Sequence, residues 1–224
     1  MRSLTIRTCQ KFALLPAEGT LTVNHKGQRA GTIANVDDTR VISNTTFRIF
    51  DCTFFKTIND HIILDDGTTH DHYQKANTFR LYYSKKENLF FVPGATNTVK
   101  TFLKDLITQY PEKFEYQKYN FDFNKIRTTN TLVKGVWFKV NGSSVDSKAF
   151  FGDEVDQDDE ANEALDAENG TYLIAQMDIA TIERTIGFSQ KSAIVIYNTI
   201  TPTDEVPLPY LQTVFDAFLI IKQL

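Results

Sequence analysis

The first 92 residues alternate short β-prone runs with turn residues, and this spacing restricts the fold more than any other feature of the chain. Residues 4–9, 19–23, 31–36 and 41–55 are candidate strands, followed by 61–64 and 79–83. The turn at 84–88 leads into 89–92, which makes the last pair a hairpin. Strands that follow one another through short turns pair antiparallel, because a parallel crossover needs a dozen or more connecting residues. Eighteen Phe and nine Tyr beside a single Trp favour such strands, since rigid aromatic side chains pack well on a pleated surface.

Helices are fewer and bounded by clear signals. After Pro93-Gly94, Val99, Phe102, Leu103, Leu106, Ile107 and Tyr110 recur at intervals of three and four. Pro111 ends that helix, because it lacks the next backbone donor and disfavours helical geometry in the residue before it. Leu211, Val214, Phe215, Phe218 and Leu219 predict a terminal helix with an apolar docking face. Between them, Asn141-Gly142 separates two β-prone runs and predicts a type I′ hairpin. Residues 171–179 and 193–197 read as further strands. The expected class is therefore α+β: mainly antiparallel sheet with a few helices, in two subdomains of residues 1–112 and 113–224.

Charge is divided along the chain. Residues 1–148 hold 21 Lys and Arg against 14 Asp and Glu, whereas residues 149–224 hold 3 against 14, nine of those acids falling in 153–168. Val155, Ala161, Ala164 and Leu165 give that acidic segment only a thin apolar stripe, so it reads as a solvated surface helix closed by Asn169-Gly170. Its Asp156, Asp158, Asp159 and Glu160 are candidate partner-binding residues. The registers that would make it an EF-hand loop place Ala or Asp where the glycine and the final glutamate belong, so calcium is not expected.

Other chemistry-bearing groups are sparse. His70 and His72 would share one face of a strand and form a two-imidazole start to a metal site, which needs a third ligand. Asp146 and Lys148 share a face on the second strand of the Asn-Gly hairpin, a carboxylate and a lysine of the kind metal-dependent nucleases use, with Asp51 or Asp122 as further acids. Arg80, Lys85 and Lys86 lie beside Tyr82 and Tyr83. Lys118, Lys125 and Arg127 lie among Tyr116, Tyr119, Phe121 and Phe123. Cations interleaved with aromatics are what nucleic-acid contact requires. Trp137 and Lys139 fall on the face opposite Val136, Phe138 and Val140; covering of Trp137 by a helix is the primary reading, and a half-exposed partner anchor the other.

Absent motifs narrow the field. The sequence holds no Walker A motif, no G-x-G-x-x-G and no G-x-S-x-G, and Cys9 and Cys52 have neither zinc nor redox spacing. No apolar stretch approaches the length of a membrane span and the start lacks an apolar signal core, so the expected location is cytoplasmic, without membrane contact. The expected function is a non-catalytic intracellular macromolecular-interaction protein that binds a protein partner or itself, with no cofactor. The alternatives are a metal-dependent nuclease or phosphodiester hydrolase, which would need a divalent metal, and a nucleic-acid-binding protein without cleavage.

Overall fold

The computed structural model describes residues 2–14, 19–129, 131–140, 144–203 and 206–223; the predicted Asn141-Gly142 turn lies outside them. It corrects the α+β expectation. Of the described residues, 53% are strand and 21% helix, so this is a sheet-dominated protein of twelve strands with four α-helices rather than a balanced mixture. Every strand pairing whose register is described is antiparallel.

The chain divides into two compact units, one of Thr8–Val41 and Thr45–Gln117, the other of Met1–Arg7, Ile42–Asn44 and Lys118–Leu224. The first is built from β1 (Arg2–Phe12, from Thr8 onward), β2 (Thr20–His25), β3 (Gln28–Ile42), β4 (Thr45–Ile63), β5 (Thr69–Ser84), β6 (Leu89–Pro93), the helix α1 (Thr96–Gln109) and β7 (Phe114–Lys118). Strand order there is β2-β3-β4-β5-β6-β1, with β7 also paired to β1. Residues 41–55, read from sequence as one strand, turn at Ser43-Asn44. Both take positive φ, 46° and 60°, as a two-residue hairpin turn requires.

Phe12 sits at the centre of this unit's core. Its ring stacks on Tyr83 at 4.7 Å, tilts against Phe50 at 4.9 Å and meets Phe114 edge-on at 5.0 Å. The predicted helical stripe of α1 closes the core, burying Val99, Phe102, Leu103 and Leu106, and Phe102 stands edge-on to Phe79 at 5.2 Å. The end of α1 also holds strand β2. The Gln109 side chain accepts from Asn24 N–H at 2.9 Å and donates to its carbonyl at 2.6 Å, and Tyr110 Oη donates to Thr22 O at 2.8 Å.

Beyond the reach of α1, β4 and β5 continue as a ribbon whose residues from Lys56 to Ala76 are almost all exposed. A bulge between Asn59 and Ile62 places His61 and Asp71 together, Nδ1 to Oδ1 at 3.0 Å. The expected break at 56–60 and the separate short strand at 61–64 are thus parts of one 19-residue strand.

The second unit contains the first part of β1, α2 (Phe123–Arg127), β8 (Leu132–Lys139), β9 (Ser147–Phe151), α3 (Asp159–Asp166), β10 (Gly170–Ile179), β11 (Ile182–Ser189), β12 (Ala193–Ile196) and α4 (Pro209–Lys222). Strand order is β1-β12-β11-β10-β8-β9. A buried row crosses five strands in register, Leu4, Ile194, Phe188, Leu173 and Val136. The helices pack on this face: Phe121, just before α2, meets Phe188 at 5.5 Å, and α4 buries Leu211, Val214, Phe215, Phe218 and Ile221.

Both cysteines are reduced and buried. Burial, opposed only in part by the Lys11 backbone, pushes the Cys9 thiol up to about 12, and burial likewise raises Cys52 well above its ordinary range. Only the thiolate is nucleophilic. Iodoacetamide at pH 8 is therefore expected to leave both unlabelled in the native protein and to label both after unfolding, with mass spectrometry as the readout. Rapid native labelling of either thiol would show that its site is open.

Candidate functional site

Because successive side chains of a strand point to opposite faces, fixing Val136, Leu173 and Phe188 on the helix-covered face fixes Trp137, Tyr172 and Ser189 on the other. There β9 adds Phe151, directly opposite Gly135 on β8. The result is a row of four aromatic side chains. Trp137 stands perpendicular to Phe151 at 4.4 Å and to Tyr172 at 5.2 Å, and the hydroxyls of Tyr172 and Tyr197 lie 3.0 Å apart.

Two glycines allow the rings to lie on the sheet. A Cβ at Gly187 would come within 1.9 Å of Tyr172 Oη, and one at Gly135 within 3.1 Å of the Phe151 ring. Any larger residue at 187 would displace Tyr172. Burial, followed by the hydrogen bond to Tyr197, raises the Tyr172 hydroxyl above the usual tyrosine range, so it stays protonated. Phe151 is 63% exposed and Tyr197 37%, while Trp137 and Tyr172 are half-buried. Among the described residues the rings packed on Trp137 are those of Phe151 and Tyr172, and Lys139 is exposed two residues along the same face.

The acidic segment departs from the solvated helix expected of it. A 3-10 turn at Val155–Gln157 precedes α3, and Val155, Ala161, Ala164 and Leu165 are all buried. Three of its nine acids are ion-paired among the described residues. Lys134 pairs with Asp153, Lys148 with Glu160 and Arg127 with Asp166. Asp158 caps α3, accepting from the N–H groups of Glu160 and Ala161 at 3.1 Å. Asp156 and Asp159 have no ion pair among the described residues.

The residues read as nuclease-like are not assembled into one site. Asp146 and Lys148 are both exposed, and the lysine is engaged by Glu160. Asp122 caps α2 through Lys125 N–H at 3.0 Å, and Asp51 pairs with Arg80 at 3.1 Å. His70 and His72 lie on one face of β5, opposite Ile62 and Asn59. Among the described residues no three His, Cys, Asp or Glu side chains converge as a metal site would need.

The basic and aromatic groups are likewise dispersed. Arg80 and Arg127 are held by Asp51 and Asp166; Lys85 and Lys86 are exposed at the β5–β6 turn; Lys118 borders a hollow of about 440 Å³ with Asp122 and Glu168. Their neighbouring aromatics are mostly core. Tyr82, Tyr83, Phe121 and Phe123 are buried, and Tyr116 packs on Phe90 at 5.0 Å. Sequence reasoning picked out Trp137 but missed Phe151, Tyr172 and Tyr197. The available signal was glycine inside strands, at 135 and 187, which marks close approach over the backbone.

No family model matches this chain, and no curated protein matches its sequence.

Replacing buried Leu165 by Ala is expected to cost about 2–4 kcal/mol in urea unfolding, since it leaves a cavity. Neutralising Asp156 and Asp159 to Asn should change stability by less than about 0.5 kcal/mol, the usual size of a surface effect. Equal costs for the two changes would show that the segment does not pack as described.

Proposed function

We propose that this protein is a non-catalytic macromolecular-interaction protein whose contact surface for a protein partner is the aromatic row Phe151–Trp137–Tyr172–Tyr197. The observation that carries the reading is the exposure of Phe151 and Tyr197 on a sheet face opposite the one the helices cover. Tyr and Trp supply much of the binding energy at protein interfaces, because they bury large area with few rotatable bonds. The upright Trp137 ring, braced by its neighbours, is already held in one orientation, which lowers the entropy lost on binding.

Charge favours a protein over nucleic acid as the partner. Residues 118–224 hold 9 Lys and Arg against 16 Asp and Glu, and the tyrosines and phenylalanines beside the basic residues are mostly in the core. A phosphate backbone gains affinity from cations in proportion to the charges it meets. Asp156, Asp158, Asp159 and Glu160 move from contact residues to structural or peripheral ones in this reading, while Trp137 remains at the centre.

Affinity purification from the native cell, with each variant expressed at equal level, tests the assignment. Phe151→Ser and Tyr197→Ser should each reduce recovery of the partner about tenfold while the variants stay folded, and Asp156→Asn with Asp159→Asn should leave it unchanged. Full recovery with both aromatic variants, or loss confined to the aspartate variant, would reject the aromatic surface.

A further inference from the structure

The two faces of the β4–β5 ribbon carry different side chains. Phe54 on β4 and Phe79 on β5 both pack on Phe102 of α1, at 6.0 Å and 5.2 Å, which identifies the face on the α1 side. Alternation and register then place Lys56 with Lys75, Ile58 with Tyr73, and Asp71 on that face, followed beyond the bulge by Ile63 with Thr69. His61 joins them through its contact with Asp71. The register pairs on the opposite face, Thr57–Gln74, Asn59–His72 and Ile62–His70, include no Lys, Arg, Asp or Glu.

Charge is graded along the α1-side face. At the base, Lys56 lies directly opposite Lys75, both exposed, and neither makes an ion pair among the described residues. Like charges opposite one another across an antiparallel pair weaken it. Lys56 also borders a hollow of about 340 Å³ closed on its far side by Asn97, Thr98 and Thr101 of α1, with no carboxylate among its described lining. Toward the tip, Ile63 is 68% exposed and Leu64 45%. Asp65 and Asp66 then form the turn, which is held by Gly67 N–H to Leu64 O at 2.8 Å and Thr68 N–H to Asp66 Oδ1 at 2.9 Å. Lys75 and Gly67 lie four residues to either side of Asp71, about 13 Å at the usual rise of a strand. A two-fold axis at Asp71 therefore carries the acidic tip of one ribbon onto the basic base of another.

We infer that the α1-side face of the ribbon pairs antiparallel with the same face of a second copy of this chain. Asp65 and Asp66 of each copy meet Lys56 and Lys75 of the other beside the hollow, Ile63 packs on Ile58 and Tyr73, and the His61–Asp71 pairs meet at the axis. A two-fold contact needs a surface that complements itself, and this face does so in charge and in apolar area. A two-stranded ribbon open on both faces is marginal in isolation, and the second copy supplies the missing cover. The contact is small, so the dimer is weak and salt-sensitive. It lies in the other unit from the aromatic row and does not depend on that reading.

Sedimentation velocity of the full chain over a concentration series to about 200 μM, at 50 mM and 500 mM salt, tests it. A reversible dimer is expected, weaker at the higher salt. Lys56→Glu with Lys75→Glu in one chain should weaken self-association tenfold or more. Asp65→Lys with Asp66→Asn in another should do the same, the asparagine keeping an oxygen for Thr68 N–H. Mixed in equal amounts, the two variants should recover association as a heterodimer, because each base then faces a tip of opposite charge; unfolded chains could not recover it. Ile63→Ser, which leaves every charge in place, should also weaken the dimer, and Phe151→Ser should not. A monomer at every concentration in low salt would overturn the inference. So would a dimer indifferent to the ribbon variants, or one lost with Phe151→Ser alone. Failure of the mixture to associate would overturn the antiparallel pairing of tip with base.

Discussion

The two-residue period of the antiparallel strand decides which side chains form the proposed contact surface. In the second unit the register Leu4–Ile194–Phe188–Leu173–Val136 commits one face of the sheet to the helices. Moving any strand by a single residue would turn its apolar set to the opposite face, so burial of this row fixes the register of every neighbour. The other face must be dressed by its own side chains. Aromatic rings lying across Gly135 and Gly187 do so, and the same packing that stabilises the sheet places Trp137 upright between Phe151 and Tyr172.

In the first unit the corresponding constraint is the core around Phe12 and the single helix that covers it. Where α1 covers β4 and β5 the strands alternate, with Phe50, Cys52 and Phe54 buried; further along, both faces are exposed. A hollow of about 340 Å³ lies beside that transition, bordered by Lys56 and Gln74 of the strands and by Asn97 and Thr98 of α1.

How much of this was legible in the sequence follows from which faces are buried. α1 and α4 were plain because each has one buried stripe at helical spacing, and β12 because all four of its residues are buried. Most of the ribbon was not, since a two-stranded element exposed on both sides has no alternation to read. β11 went unread because Glu183, Arg184 and Thr185 follow its first residue, Ile182, and Gly187 interrupts its apolar run. The acidic segment misled in another way. Its charge count is high, yet the stability lies in four small or medium apolar residues that the count obscures, and its ion-pair partners Lys134, Lys148 and Arg127 come from earlier in the chain. Local pairing thus joins three of the segment's nine acids to cations from earlier in the chain and leaves residues 118–224 net acidic. Of the candidate surface, Trp137 was visible as a residue, but its neighbours come from three other places in the chain, and only strand register brings them together.

In the proposed reading the aromatic face of the second unit, not its acidic helix, meets the partner. Hydroxyl-radical footprinting of the free chain and of the purified complex measures this directly, because exposed aromatic side chains oxidise readily and are shielded on contact. Oxidation of Phe151, Trp137 and Tyr197 is expected to fall several-fold in the complex, with Tyr73 on the ribbon unchanged. Unaltered oxidation at all three of those positions in a complex that remains assembled would contradict the account.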